Sequence, residues 1–576
     1  MEHAIMSADV PLLLVAGSEK YRQKREKKMR KAKPVIAAVS LLLMIALGVV
    51  GVQVIQKYTP SREMADPEEV YDVSGNEAAI LYNYELQEEH GIYENGQIYL
   101  PLDWINENLN KRFYWDSKEE LLVYALPEQI VYADAETKGS NGAPMLLLRD
   151  EGVYLPLGLI ANYTDIQLLP YDKGDIKRVV VNSWGKRAVA ETKKNGKLRV
   201  RGGIKSPILS EVSSGTQVTV IERLENWSKV LTPDGNIGYI ENKRLDAAQE
   251  QNFTGDFIEP VYENIRLDKK IVLAWHQVTS QEGNKTLSSF LEKTKGVNVV
   301  SPTWFSLTDN EGNYKSLASR AYVEEAHKRG IQVWALIDNF SSDVQTETLL
   351  SSTTVRRTLI EKLIADAKEY GIDGLNIDFE SLKKEAGVHY IQFIRELSVS
   401  CRKEKLVLSV DNYVPAAYNS FYDRKEQGIV ADYVIIMGYD EHYNGSEPGS
   451  VASLNYVRNG IEGTLKEVPK EKVIDAVPFY TRVWTEGNDG VKSSALGIAD
   501  AKKWIEDNQV PLYWQEELGQ YYGELDSEAG FKTVWMEEER SLEKKMELIK
   551  KYDLAGVACW KLGLEDAAAW DSIQWQ

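Results

Sequence analysis

Two carboxyl groups in one short stretch are the strongest candidates for chemistry in this sequence. In the segment from Asp373 to Glu380, an extended chain places Asn376, Asp378 and Glu380 on one face and apolar side chains on the other. Carboxylates this close raise the pKa of at least one of them, and a carboxylic acid that stays protonated near neutral pH can serve as a general acid. A solvated strand edge is the alternative, which the apolar flanks disfavour. The stretch therefore predicts acid/base chemistry.

The elements that would position these acids follow a regular alternation. Apolar strands and amphipathic helices alternate over residues 257–576, which predicts a (β/α)8 TIM barrel with the acidic stretch as its fourth strand. The helix before that strand carries one apolar face and should end at Gly371. Active sites of this fold lie where the strands end, so the polar residues there should converge. The predicted strands are 271–275, 297–300, 332–337, 374–379, 406–410, 433–437, 473–477 and 556–560.

Motifs on four of these strands resemble glycoside hydrolase family 18, the chitinase-type family, and more closely its branch of spore-cortex and cell-wall hydrolases. The fourth-strand pattern of that family is Asp-x-x-Asp-x-Asp-x-Glu, and this sequence carries Asn376 in place of the second acid. The matching residues are Asp373, Asp378 and Glu380 on the fourth strand, Met437 to Asp440 on the sixth, Pro478 to Arg482 on the seventh and Trp560 on the eighth.

The resemblance implies a retaining hydrolysis in which the substrate supplies the nucleophile. Glu380 would protonate the glycosidic oxygen and then activate water, Asp378 would orient the 2-acetamido group, and Tyr439 would hold its carbonyl oxygen. Trp560 would form an apolar floor under the sugar ring, with a plain core tryptophan as the alternative. Other expected substrate contacts are Asp373, Asn376, Met437, Asp440, Tyr480 and Arg482, while Trp275 and Trp304 either line the cleft or belong to the core.

Two departures from the family pattern bear on activity. The usual Ser-x-Gly-Gly of the third strand is replaced by Leu336 to Phe340, and Asn376 cannot carry the negative charge of an aspartate. Losing that charge should ease the repulsion that raises the pKa of Asp378. A catalytically weak or inactive carbohydrate-binding protein is one outcome. The retained Glu380 favours an enzyme, because the general acid is the group such chemistry can least do without.

An apolar stretch near the N-terminus predicts a membrane anchor. Residues 34–55 are long enough to cross a bilayer, and the run from Lys20 to Lys33 before them is strongly basic. The positive-inside rule then predicts a cytoplasmic tail at 1–33 and an extracytoplasmic body. A cleaved signal peptide is the competing interpretation. The apolar stretch exceeds the usual length for one, and no small-x-small cleavage site follows it.

Between anchor and barrel we expect a linker and two small domains. Residues 56–76 are polar with two prolines, which indicates the linker. The segment beginning at Gln97 recurs at Gly152, so 77–182 is expected to be a small α+β repeat domain, which resembles the copper amine oxidase N-terminal-like domain without implying copper chemistry. Short strands and turns over 194–246 resemble a bacterial SH3-like domain, either a wall-binding module or a spacer.

Composition excludes some classes of function. The net charge of −19 argues against nucleic-acid binding, which needs cations to neutralise phosphates. Cys401 and Cys559 are expected to be small core residues, and the six histidines lack ligand spacing. We therefore expect no metal and no cofactor, and the expected partners are a cell-wall or chitin-type glycan and a membrane.

Overall fold

The computed structural model of the chain describes residues 16–140 and 142–575. Contacts divide the chain into two compact units. The first takes the chain up to Ile98 together with Asp165–Asp256, and the second combines Tyr99–Thr164 with the chain from Phe257. The domain boundaries expected from the sequence, at 77–182, 194–246 and 257–576, stay predictions. Residues 1–15 of the expected cytoplasmic tail lie outside the described residues.

The first 256 residues carry short elements after one long helix. The helices are α1 (Ala16–Tyr58), α2 (Pro67–Tyr71), α3 (Leu102–Asn108) and α4 (Leu157–Tyr163). The strands are β1 (Glu77–Tyr82), β2 (Glu85–Glu94), β3 (Gln97–Pro101), β4 (Tyr114–Asp116), β5 (Leu121–Ala125), β6 (Ile130–Ala133), β7 (Leu147–Arg149), β8 (Gly152–Pro156), β9 (Gln167–Tyr171), β10 (Lys177–Asn182), β11 (Gly185–Glu191), β12 (Gly196–Arg199), β13 (Ile208–Val212), β14 (Gln217–Arg223), β15 (Trp227–Leu231), β16 (Ile237–Glu241) and β17 (Gln249–Phe253).

Helix α1 contains the apolar stretch predicted from the sequence. Its segment Ala37–Tyr58 has 22 residues and a mean hydropathy of 2.5. At about 1.5 Å of rise per residue this segment is roughly 33 Å long, which matches the ~30 Å hydrocarbon core of a bilayer. The apolar side chains from Val39 to Ile55 are largely exposed. Length and composition therefore fit a membrane span, and they equally fit a signal sequence.

The first unit contains the SH3-like strands. Seven strands pair in the order β13-β12-β16-β15-β14-β11-β17, and β12 to β16 lie within the range 194–246 that the sequence marks as SH3-like. In the same unit β1 pairs with β10 in parallel and with β2 antiparallel, and β10 pairs with β9. Buried residues of both groups, including Leu81, Val180, Leu198 and Ile240, form one core.

The repeat in the sequence becomes a repeated strand-to-helix step. Strand β3 leads into α3 as β8 leads into α4, with Pro101 and Pro156 as the residues before the helices. Within the second unit the two copies pair antiparallel, with Leu100 opposite Leu155. Between them β4, β5 and β6 form a small antiparallel sheet.

The chain from Phe257 builds a barrel with an inserted sheet. Its strands are β18 (Ile271–His276), β19 (Val299–Leu307), β20 (Tyr314–Ser316), β21 (Gln332–Asp338), β22 (Gly374–Asp378), β23 (Val407–Tyr413), β24 (Tyr433–Met437), β25 (Val473–Pro478), β26 (Tyr480–Gly487), β27 (Gly490–Gly497), β28 (Leu512–Gln515), β29 (Gln520–Ser527), β30 (Gly530–Met536) and β31 (Gly556–Trp560). Its helices are α5 (Leu287–Leu291), α6 (Arg320–Lys328), α7 (Thr346–Leu350), α8 (Thr353–Tyr370), α9 (Gly387–Glu404), α10 (Arg424–Val430), α11 (Leu454–Thr464), α12 (Ile498–Asp507), α13 (Glu539–Lys551) and α14 (Ala567–Ser572).

Eight parallel strands close the barrel, as predicted. They are β18, β19, β21, β22, β23, β24, β25 and β31, and β18 pairs with both β19 and β31 to complete the circle. Helix α8 ends at Gly371, whose positive φ of 77° permits the left-handed turn into β22. The sequence did not predict the inserted five-stranded antiparallel sheet, β27-β26-β30-β29-β28, which lies between the last two barrel strands.

The segment from β4 to β6 packs on barrel helices α8 and α9. Buried Asp116 accepts hydrogen bonds from the backbone N–H and the hydroxyl of Thr353, at 2.6 and 2.7 Å, and so caps the start of α8. Arg356 lies 4.5 Å from the centre of the Tyr114 ring and forms a fully buried ion pair with Glu396 at 2.8 Å. These contacts join two segments that are far apart in sequence.

Candidate functional site

The acidic stretch forms the fourth barrel strand and its C-terminal end. Asn376 is fully buried, Asp378 is only 4% exposed, and Glu380 lies two residues beyond Asp378 with a partly exposed side chain. This burial rules out a solvated strand edge. Glu380 is thus the carboxyl that solvent and a ligand reach most easily, and Asp378 lies deeper.

Asn376 is held by three hydrogen bonds inside the barrel. Its carbonyl oxygen accepts from Trp275 Nε1 at 2.9 Å and from the Ser301 hydroxyl at 3.0 Å, and its Nδ2 donates to Asp411 Oδ1 at 2.8 Å. Trp275 is therefore a buried residue that orients Asn376. The amide uses both a donor and an acceptor, which an ionised aspartate could not do.

Glu380 is fixed through both its backbone and its carboxyl group. The Tyr413 hydroxyl donates to Glu380 Oε2 at 2.7 Å. The side chain of Asn339 accepts from the backbone N–H of Glu380 and donates to its carbonyl oxygen. Burial raises the pKa of Glu380, the hydrogen bond from Tyr413 opposes that rise, and the charges of Asp440 and Asp338 add to it. A raised pKa suits a general acid.

The pKa of Asp378 is also raised, well above its ordinary value. Burial is the main cause, followed by the charges of Asp411, Glu380 and Asp338. The expectation that a neutral Asn376 would relieve the repulsion on Asp378 is therefore incomplete. The strand beside it supplies another carboxyl group at Asp411.

Aromatic side chains form one wall at the end of the eighth strand. Trp560 is partly exposed, and its ring lies 5.7 Å from that of Trp275 and 6.5 Å from that of Tyr439 between ring centres. Tyr439 is 9% exposed, and burial followed by the charge of Asp378 raises the pKa of its hydroxyl well above the usual value. The hydroxyl of Tyr439 is thus neutral and able to donate a hydrogen bond.

Residues after the sixth and seventh strands meet around Asp440. The Tyr480 hydroxyl donates to Asp440 Oδ1 at 2.6 Å, and the guanidinium of Arg482 lies 3.6 Å from the same oxygen. Met437, at the end of β24, is 7% exposed and packs in the barrel core. Of the expected contacts in this region, Asp440 is the most accessible, with a side chain that is 46% exposed.

The structure does not bring Asp373 or Trp304 to this site. Asp373 precedes β22 and accepts hydrogen bonds from the backbone of Val333 at 2.7 Å, at the N-terminal ends of the strands, and its carboxylate also pairs with His327. The expectation that Asp373 contacts substrate is therefore wrong. The motif runs the length of β22, so its first acid lies at the N-terminal end of the strand, away from the site at the C-terminal end. Trp304 is buried and donates to Asn284, as a core residue.

Several residues of the site escaped the sequence analysis. Asp411 and Tyr413 end β23, whose predicted range stopped at Val410. They share the alternation that marked Asp378 and Glu380 on the preceding strand, so extending the same argument would have found them. Asn339 lies in the segment that replaces the usual third-strand Ser-x-Gly-Gly, and nothing else in the sequence pattern indicated that it would lie at the site.

A cavity adjoins Glu380 on the side of the third and fourth strands. Its volume is about 280 Å³, and it is lined by Glu380 and by residues of the loops 339–347 and 381–386. Within the described ranges, 16–140 and 142–575, no three His, Cys, Asp or Glu residues are arranged to hold a metal ion. Cys401 and Cys559 are free and buried, which confirms them as core residues.

Comparisons with known proteins agree with this architecture. The family model of glycosyl hydrolases family 18 matches residues 269–565, and that of the bacterial SH3 domain matches residues 194–246. No match shows a copper amine oxidase N-terminal-like domain, so that resemblance stays an expectation.

Curated relatives are named as glycosylases and lytic enzymes. An uncharacterized glycosylase, YvbX, of Bacillus subtilis (strain 168) is 28% identical over 293 residues, which cover 48% of this chain and 84% of that protein. The cortical fragment-lytic enzyme of the same strain is 29% identical over 238 residues, covering 40% of this chain and 55% of the relative. This chain thus spans little more than half of that second relative.

Solved structures of two bacterial enzymes are similar to parts of this chain. The spore cortex-lytic enzyme SleL of Bacillus megaterium QM B1551 aligns over 56% of this chain and 77% of its own, with 22% identity and a TM-score of 0.48. A chitinase of Chromobacterium violaceum ATCC 12472 aligns over 53% and 98%, with 21% identity and a TM-score of 0.48. Because the family model matches more than half of the sequence, this chain belongs to glycosyl hydrolases family 18.

Proposed function

We propose that this glycoside hydrolase is anchored in a membrane and cleaves β-1,4-linked glycan containing N-acetylglucosamine outside the cytoplasm. The observation that carries the proposal is the unequal placement of two carboxyl groups with raised pKa values: Glu380 at the mouth and Asp378 almost fully buried. A buried carboxyl beside a reachable acid suits orientation of the substrate better than direct attack on it. This arrangement supports a retaining, substrate-assisted reaction.

In that reaction Glu380 protonates the glycosidic oxygen while the carbonyl oxygen of the sugar's own 2-acetamido group bonds to the anomeric carbon. Asp378 accepts the acetamido N–H as positive charge develops there, and the neutral Tyr439 hydroxyl donates to the acetamido oxygen. Glu380, now ionised, then removes a proton from the water molecule that attacks the anomeric carbon, and the bond from that carbon to the acetamido oxygen breaks. The cavity beside Glu380 would receive the leaving sugar, and Trp560 would stack under the ring that reacts.

Peptidoglycan is the substrate we favour over chitin. The relative named cortical fragment-lytic enzyme acts, by its name, on cortical fragments. The apolar segment of helix α1 and the basic run before that segment would hold the enzyme at the outer face of a membrane, close to such a wall. The SH3-like strands fit either wall attachment or spacing.

The test uses the full-length protein with purified peptidoglycan and with N-acetylglucosamine oligosaccharides, followed by mass spectrometry of the released fragments. Glu380→Gln should lower turnover at least about 100-fold, because general acid catalysis contributes about 10²–10⁴. Glu543→Gln is the matched control, since Glu543 is an exposed residue of α13. NMR of the products as they form would support retention of the anomeric configuration if the β-anomer is released first. Equal activity of wild type and Glu380→Gln would contradict the proposal.

A carbohydrate-binding protein without turnover is the second candidate, favoured by the amide at Asn376. It predicts glycan binding by wild type with no fragments released. The membrane topology has a separate test. Protease added to intact cells should remove the chain beyond Tyr58, and protection of that region would refute an extracytoplasmic body.

A further inference from the structure

A third acid, Asp411, lies beside Asp378 on the neighbouring strand and is buried like it. β22 and β23 are parallel, and Asn376 pairs with Ser409 and Ile377 with Val410, so the next residues along the two strands are Asp378 and Asp411. Residues in register on parallel strands project from the same face. Asp378 is 4% and Asp411 is 2% exposed, so the two carboxyl groups share one dry environment.

The hydrogen bonds leave this pair of carboxyls incompletely satisfied. Asp411 Oδ1 accepts from Asn376 Nδ2, but neither Asp411 Oδ2 nor Asp378 Oδ1 has a hydrogen-bond partner within residues 16–140 and 142–575. Over the same described ranges, no lysine, arginine or histidine forms a salt bridge with either group. Two buried carboxylates without a cation cannot both be ionised, so the pair holds at least one proton.

We propose that Asp411 supplies the carboxyl group that the family motif places at position 376, and that it is the positioning residue which holds the proton of the Asp378–Asp411 pair. In effect the acid has moved from the fourth strand to the fifth, and an amide stands at the motif position. Asn376 now ties the relocated acid to Trp275 and Ser301. The inference rests on the proposed substrate-assisted reaction.

The charges of the proposed reaction balance with this assignment. The proton of Glu380 passes to the leaving oxygen as the bond from the anomeric carbon to that oxygen breaks and the bond to the acetamido oxygen forms. The proton of the pair resides on Asp411, which leaves Asp378 negative to accept the acetamido N–H. When water attacks, Glu380 recovers a proton and the charge on the acetamido group disappears. The pair neither gains nor loses a proton overall.

Other titratable groups face the pair from each neighbouring element. Burial raises the pKa of Asp411 well above its ordinary value, against the hydrogen bond from Asn376 and together with the charge of Glu380. The groups that face the pair are Asp338 on β21, Glu380 after β22, Tyr390 on α9, Tyr422 before α10 and Tyr439 after β24. None of these groups carries a positive charge that could replace a proton on the pair.

The relocation of the acid can be reversed by substitution. In the full-length protein, Asp411→Asn should lower kcat about 10- to 100-fold with little change in KM and should alter the pH profile, since it removes the proton-holding group. The double variant Asn376→Asp/Asp411→Asn returns the acid to its motif position and should recover kcat to within a few-fold of wild type. Asp475→Asn is the matched control, because Asp475 is a fully buried carboxyl on β25, where burial raises its pKa and the charge of Lys545 on α13 opposes that rise. It should leave kcat unchanged.

The outcomes separate this inference from the proposed function. If wild type turns over glycan but Asp411→Asn matches it in kcat and pH profile, the role of Asp411 is refuted while the function stands. A double variant that melts as wild type does but is no faster than Asp411→Asn also overturns it. If wild type itself releases no fragments, the proposed function has failed first. Thermal melting of each variant tests whether it is folded. If Asp411→Asn does not fold, the kcat of the double variant relative to wild type tests the role of Asp411.

Discussion

The hydrogen bond from Tyr413 to Glu380 allows the acid strength of the proposed catalytic group to be changed with a single atom. Tyr413→Phe removes the hydroxyl that donates to Glu380 Oε2 at 2.7 Å and keeps the ring. That bond is made to the ionised carboxylate, so it lowers the pKa of Glu380 against the rise caused by burial. Without it, the pKa of Glu380 should rise further.

The size of the change follows from the kind of bond. A hydrogen bond to a charged group contributes about 1.5–3 kcal/mol, and the lower value applies here because Glu380 is partly exposed. About 1.4 kcal/mol is a factor of ten in proton affinity. Because Glu380 must be protonated to cleave the bond, the alkaline limb of the profile of kcat/KM against pH should move upward by about one pH unit.

The assay is the initial rate of cleavage of an N-acetylglucosamine oligosaccharide well below KM, measured across the pH range. Tyr422→Phe is the matched control, because the Tyr422 hydroxyl lies nearby but donates to the backbone oxygen of Phe379. That variant should keep the wild-type limb. An alkaline limb that stays in place in Tyr413→Phe, or moves equally in Tyr422→Phe, would refute the assignment of that limb to Glu380.

Further predictions concern binding and stability. Trp560→Ala should raise KM by about tenfold with a folded barrel, since stacking of a sugar on the ring is lost, and Trp535→Ala outside the barrel strands should not. Glu396→Gln should cost about 3–5 kcal/mol in chemical denaturation, because it leaves Arg356 buried without its charge partner, whereas loss of the exposed Glu404 in the same helix should cost little. Hydrogen bonds, chiefly from Thr353, lower the pKa of Asp116 in spite of burial, so its stabilisation exists above the unfolded pKa and should disappear as pH falls below about 4, a dependence that Asp116→Asn should lack. The raised pKa of Asp411 has the opposite sign, so wild type should lose stability relative to Asp411→Asn as pH rises above about 4. Thermal melting of wild type and both variants at about pH 3, pH 4 and pH 8 checks these two signs, the first between pH 3 and pH 4 and the second between pH 4 and pH 8.

The barrel and the fourth strand could be predicted because both depend on local alternation. Apolar runs of the right length identified all eight strands, and the parity of Asn376, Asp378 and Glu380 identified the acidic face. Asp373 was misplaced because matching a motif does not say which end of a strand a residue occupies. Five residues of strand span about 16 Å, enough to separate it from Asp378.

What could not be predicted depends on contacts between distant parts of the chain. The partner of Asn376 is Asp411, and only the register of β22 against β23 brings them together. The inserted sheet from β26 to β30 has strands with their own apolar alternation. The sequence pattern alone does not distinguish these strands from the helical segments around them. The capping of α8 by Asp116 joins residues 237 positions apart.

That cap bears on the order in which the protein is made. Asp116 leaves the ribosome well before Thr353, and at about 5–20 residues per second the delay is roughly 10–50 s. During that interval the sheet β4 to β6 lacks the helices that cover Tyr114 and Asp116. The nascent chain must therefore keep this surface from other partners until the barrel is synthesised. A fragment that begins at Phe257 would lack Tyr114 and Asp116 altogether, so Arg356 and the start of α8 would stay uncovered in it.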